Sequence, residues 1–176
     1  MASAALGAVR GKTADRVQAL VHARRARARS HLGDERCSSD LDLAERHLHR
    51  AEQNRDEDEP EWAYWVDLAE FQGSRASTQL AMGRPGDAEA TFAAAARAFD
   101  GGAVRTHALY LTRQADAQWR QGHHEQACGT AHQALDLIDH MSSQRTASPL
   151  TDLVATMGAH KNLPAVRDLR ERITIG

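Results

Sequence analysis

A chain of 176 residues and 19.3 kDa is long enough to bury one sizeable core, either as a single domain or as one compact array. Lys+Arg of 22 against Asp+Glu of 24 leaves a formal charge of -2, which excludes a global electrostatic pull toward nucleic acid. Two cysteines, Cys37 and Cys128, are too few for a disulfide scaffold and fit a reducing, cytoplasmic setting. The first twelve residues, MASAALGAVRGK, lack the basic lead and apolar core of a signal peptide and read as a frayed lead-in. No stretch approaches membrane-spanning length, so no membrane partner is expected.

Residues 13–176 read as one helical domain in four pairs, at about 13–52, 62–99, 103–140 and 142–174. From Thr13 to Leu32 a helix is predicted with Val17, Leu20, Val21, Ala28 and Leu32 inward. Gly33-Asp34 ends it, and Ser38, Ser39 or Asp40 caps a second helix whose stripe is Leu41, Ala44, Leu48 and Ala51. Residues 54–60 (NRDEDEP) form an acidic linker closed by a proline.

The central hairpin runs from Trp62 to Phe99. Trp65, Leu68, Ala69, Ala76 and Leu80 line its first helix; Ala88, Phe92, Ala95 and Phe99 line its second. Gly83 stops the first helix, Pro85 cannot continue it, and Asp87 or Gly86 caps the next. After Asp100-Gly101-Gly102, one helix presents Val104, Ala108, Leu111, Ala115 and Trp119 up to Gly122. Its successor, from about His124 to His140, presents Ala127, Ala131, Ala134, Leu135 and Ile138. Ser142 or Ser143 starts a segment with Leu150, Leu153, Val154 and Met157, in which Ser148-Pro149 reads equally as a cap and first helical position. A loop over Gly158–Pro164 leads to a closing helix with Val166, Leu169 and Ile173 inward. The fold class is all-α.

The pairs repeat one another. Small residues stand seven positions before each turn glycine: Ala26 before Gly33, Ala76 before Gly83, Ala115 before Gly122. Gly83 to Ala88 and Gly122 to Ala127 share a spacing of five, at a period of 39 residues. Small residues at helix crossings allow close approach. The pattern resembles the tetratricopeptide repeat, a helix-turn-helix unit of about 34 residues, which implies a right-handed superhelical array. The chain departs from that pattern where the family places large apolar side chains. Those positions hold His22, Arg25 and Arg29, then Gln72, Arg75 and Gln79, then Leu111, Gln114 and Gln118.

A second resemblance rests on EPEWAYW, GRPGDAEA, HALYLTRQADAQWRQG, EQACGTAHQALDL, Ser143-Gln144-Arg145 and LPAVRDLRERI. Together they are similar to the C-terminal repeat half of actinobacterial helix-turn-helix transcriptional regulators. The resemblance implies an array like the sensor half of such a regulator, without the DNA-reading domain.

Several motifs invite a chemical reading. Arg24, Arg25, Arg27 and Arg29 could grip phosphates, but they fan around a helix without interleaved aromatics, so a solvated or ion-paired face is expected and nucleic acid is not. His124, Cys128 and His132 stand at metal-ligand spacing, continued by Asp136 and His140. The stripe drifts around the helix by about 40° per step, so no metal site is expected there, and Cys128 reads as a packing residue. Glu57, Asp58, Glu59 and Glu61 are crowded but fall in the linker. With no activated nucleophile or phosphate loop, neither catalytic residues nor a cofactor are expected.

Trp62, Tyr64 and Trp65 are the densest aromatic cluster; they read as a seal between the first two hairpins or as a wall for a ligand. Trp119 and Arg120, with first-helix offsets matched by Arg27, Asp116 and Arg145, complete a candidate groove that also takes in Tyr64 and Trp65. The lysine-and-asparagine clamp that some repeat arrays use for peptide carboxylates is absent. The expected function is a non-enzymatic module in transcriptional or biosynthetic regulation. Its partner would be a peptide, a protein, a small ligand or a second copy of the chain. The alternative is an accessory enzyme or biosynthetic factor on the same scaffold.

Overall fold

A computed structural model describes residues 14–53, 59–97, 104–139 and 144–175. The expected lead-in, the core of the acidic linker, Phe99, the Asp100-Gly101-Gly102 break and His140 lie outside these residues. Within them the protein is all-α: α1 Asp15–Ser30, α2 Cys37–Gln53, α3 Leu68–Ala81, α4 Pro85–Arg97, α5 Val104–Arg120, α6 His124–Asp139, α7 Gln144–Thr156 and α8 Pro164–Ile175. Short 3-10 turns occupy Glu61–Trp65 and Met157–His160. Among the described residues, no helix is long and apolar enough to cross a membrane. The chain forms two compact units that divide between Arg84 and Pro85, in the turn of the expected central hairpin.

In the first unit α1 and α2 pack as an antiparallel pair, and α3 lies against both. The core contains Ala19, Ala23, Ala26, Cys37, Leu41, Ala44, Leu48, Val66 and Phe71. The stripe predicted for α2 is buried in full. That predicted for α1 is not, since Leu32 is 84% exposed, Ala28 is exposed, and Val17, Leu20 and Val21 are half-buried. The helix turns its small residues inward instead, together with His22 and Ser30. Small side chains bring α2 close, and the polar ones find partners there.

The start of α2 also differs from the prediction. It begins at Cys37, so Ser38, Ser39 and Asp40 lie inside the helix, and Asp40 faces inward. The aromatic run 61–65 is not the first turn of α3. Asp67 caps α3 at Leu68 by accepting a bond from the Glu70 amide at 2.8 Å, a carboxylate and glutamate at capping-box spacing. This leaves Trp65 and Leu68, both expected inward, on the surface.

In the second unit α4 packs on α5, and α5 pairs with α6. The last pair, α7 and α8, closes over them: α7 touches α5 and α6, and α8 touches α6. α4 begins at Pro85, so Gly86 and Asp87 stand in its first turn rather than at the cap. Proline suits that position because its missing N–H would have no partner there. Ala127, Ala131, Ala134, Leu135 and Ile138 on α6 are all buried, as are Leu150, Leu153, Val154, Met157, Val166 and Leu169. Pro149 sits inside α7 rather than at its start, and a 3-10 turn fills part of the expected loop after it.

Three helix ends share one geometry. Gly33, Gly83 and Gly122 all take positive φ, at 67°, 72° and 81°. In each case the next residue's N–H reaches back to the carbonyl five positions earlier: Asp34 to Arg29, Arg84 to Gln79, His123 to Gln118. The glycine N–H bonds three positions back, which completes a Schellman stop. Ala26, Ala76 and Ala115, seven residues before these glycines, are fully buried.

Ala127 lies at zero exposure in the α6 core, so Ala127→Leu should overpack it and cost about 1–3 kcal/mol. Chemical unfolding of the variant measures this; a change within about 0.5 kcal/mol would place the side chain at solvent.

Candidate functional site

The positions where the chain departs from an apolar helix face become a connected cluster in the first unit. On α1, His22, Arg25 and Arg29 follow helical spacing and converge on one carboxylate of α2, Asp40, which is only 1% exposed. Arg25 donates to Asp40 Oδ1 through both Nε (2.8 Å) and Nη2, and Arg29 Nη1 donates to Oδ2 at 2.7 Å. Charge-assisted bonds of this kind make burial of the ions tolerable. His22, 6% exposed, places Nδ1 at 3.2 Å from Arg25 Nη2 and 3.7 Å from Asp40 Oδ1.

The imidazole of His22 stacks on that of His47 from α2, with centroids 5.4 Å apart and planes inclined by 17°. His47 Nδ1 in turn lies 2.6 Å from Asp15 Oδ1 and 2.7 Å from Arg50 Nη2. Burial lowers the His22 pKa below 6.5; Arg25 and His47 push it further down, and Asp40 opposes them.

The same answering of polar first-helix positions recurs. Arg75 on α3 donates to Glu45 of α2 at 3.1 Å and stands over the Phe71 ring. In the second unit Gln118, fully buried on α5, donates to Glu89 of α4 at 3.1 Å. Glu89 also accepts from Gln121 at 2.6 Å and Gln126 at 3.1 Å. Sequence reasoning noted these polar positions but not their partners. Helical spacing of His22, Arg25 and Arg29 opposite the aspartates of the next helix was the available signal.

The first unit also has an open surface at the Glu61–Trp65 turn. Trp62, Tyr64 and Trp65 are 51%, 79% and 38% exposed, with Leu68 exposed beside them. They do not seal a hairpin junction; Ala63 and Val66 from the same segment are the buried residues. Arg16 fastens the segment by donating from Nη1 to the Val66 carbonyl at 2.8 Å and pairing through Nε with Glu59 at 2.8 Å. Arg24 and Arg27 are exposed on α1, and the charge each faces is Glu70, two residues beyond Leu68. Burial pushes the Glu70 carboxyl up, Arg24 and Arg27 pull it down, and Asp67 raises it.

The remaining groove candidates belong to the second unit. Trp119 is half-buried against the core, its ring 4.1 Å from His124 and edge-on to His160 at 5.2 Å. Arg120 is exposed and forked onto Asp116 one turn back, at 2.9 and 3.1 Å. Arg145 belongs to α7, and its side chain lies outside the described residues. The spaced trio His124, Cys128 and His132 diverges. His124 rests on Trp119, Cys128 is buried in the core, and His132 pairs with Asp168 at 3.1 Å. Burial raises the Cys128 thiol pKa, so it packs as a small protonated side chain. Among the described residues, no group of three or more histidines, cysteines and acids is placed to hold a metal ion.

No family model, no curated protein and no solved structure matches this chain.

Proposed function

We propose that the protein is a non-enzymatic interaction module, a tetratricopeptide-like helical array that docks a peptide or protein segment in a regulatory setting. The observation that carries this reading is where the aromatics are placed. The chain has eight (Trp 3, Tyr 2, Phe 3), and three of them stand exposed on one five-residue turn while alanines fill the cores. Tryptophan, tyrosine and arginine are the residues in which binding energy concentrates at interfaces. Arg24 and Arg27, exposed on α1 of the same unit, favour a segment carrying both apolar and carboxylate groups. The repeated Schellman stops and the buried alanines before them support the repeat reading.

Two buried or half-buried carboxylates are engaged by side chains of neighbouring segments. Asp40 is saturated by two guanidiniums, and Glu89 by three amides. Groups so engaged favour a scaffold role over chemistry.

The test is capture from native lysate on the immobilised full chain, with mass spectrometry as the readout. A variant carrying Trp62→Ala, Tyr64→Ala and Trp65→Ala should lose a specifically retained partner, each anchor contributing about 2 kcal/mol. Arg36→Ala, at an exposed residue paired locally with Asp34, should retain it. An identical retained set for both variants would overturn this docking face.

A further inference from the structure

We propose that the stacked His22–His47 pair is an acid-sensitive latch between α1 and α2, closed at neutral pH and released in mildly acidic conditions. Each ring places Nδ1 against one carboxylate and one guanidinium. For His22 these are Asp40 and Arg25; for His47 they are Asp15 and Arg50. A neutral ring can accept an arginine N–H at Nδ1. A protonated ring must donate there and is repelled by the same arginine. At His22, where the arginine at 3.2 Å is nearer than the carboxylate at 3.7 Å, the two protonation states therefore require different arrangements.

The surroundings make the second state costly. The oxygens of Asp40 already take N–H groups from Arg25 and Arg29, so a proton on His22 meets the Arg25 guanidinium and a carboxylate that is already engaged. Arg25, Arg29 and Arg50 stand against Asp15 and Asp40, a local balance of one positive charge with both rings neutral. Protonating His22 raises it to two, on a ring held in stacking contact with His47. The charges on α3 are engaged elsewhere: Glu70 faces Arg24 and Arg27, and Arg75 faces Glu45 and Asp42. Glu59, preceding the 3-10 turn, pairs with Arg16, and Asp34, in the α1–α2 turn, pairs with Arg36 and approaches Arg29.

The direction of the pH effect follows. Because the folded His22 holds its proton less tightly than an exposed histidine at 6.5, the unfolded chain takes up the proton first. The stability it contributes is whole above 6.5 and shrinks as the pH falls through that value.

Hydrogen exchange of the full chain at about pH 7.5 and 5.5, expressed as protection relative to intrinsic exchange, reads the latch locally. Protection across α1 and α2 should fall by up to about tenfold, the limit set between these pH values by one histidine that takes up its proton at 6.5 in the open chain and not in the closed one. Protection across α5 and α6 serves as the internal reference and should fall less. His22→Gln, neutral at both pH values, should remove the differential loss. If that variant fails to fold, ring resonances of the unmodified protein decide: His22 should titrate below 6.5, and protection should fall between 6.5 and that midpoint. Equal protection of α1 and α2 at both pH values would overturn the latch. So would the same loss in His22→Gln, or a His22 titrating at or above 6.5.

Discussion

Asp40→Ala should destabilise the first unit by about 3–5 kcal/mol, the cost of removing one partner from a buried ion pair. The carboxylate is 1% exposed and holds Arg25 and Arg29 in place from across the helix interface. Without it Arg25 has no anion to receive it and Arg29 keeps only Asp34, at 3.6 Å, so the guanidiniums must pull toward water or remain desolvated. Alanine also leaves a void among closely approached helices. Loss of protection confined to α1, α2 and α3 in hydrogen exchange would report this, each unit being measured by itself. A change below about 1 kcal/mol would mean that the arginines already gain as much from solvent as from Asp40.

Phe92→Ala should cost the second unit a similar amount, about 3–5 kcal/mol, for a different reason. Phe92 heads the fully buried side chains by volume, and its ring lies 5.9 Å from that of Tyr110 on α5. Its neighbours along α4 are Ala88, Ala95 and Ala96, all buried. Alanines have no further side chain to lean into a void, so the cavity persists and its cost adds to the lost transfer energy. Exchange across α4 and α5 provides the measurement. A loss under about 1.5 kcal/mol would show that the helices collapse onto the site.

What could be read without coordinates was governed by local chemistry. The stripes on α2, α6 and α7 follow a helical period in apolar side chains. Gly33, Gly83 and Gly122 announce helix stops because positive φ excludes most other residues, and the alanines seven positions earlier mark the crossings. The all-α class and most helix limits follow from these signals together.

The face of α1 and the fate of the aromatics were decided by tertiary structure. By periodicity alone, Val17, Leu20, Val21 and Leu32 outrank Ala19, His22, Ala23 and Ala26 as an inward stripe. Desolvating His22 and two arginine heads is unfavourable in any isolated helix. It becomes tolerable only when Asp40 and His47, on another helix, supply bonds and a stacking surface. Likewise Trp65 continues a plausible helical stripe until the Asp67 cap starts α3 after it and leaves Ala63 and Val66 to enter the interior. Hydrophobicity is a property of a residue and is legible in order along the chain. The worth of a buried charge belongs to a pair, and that pair exists only once the helices have met.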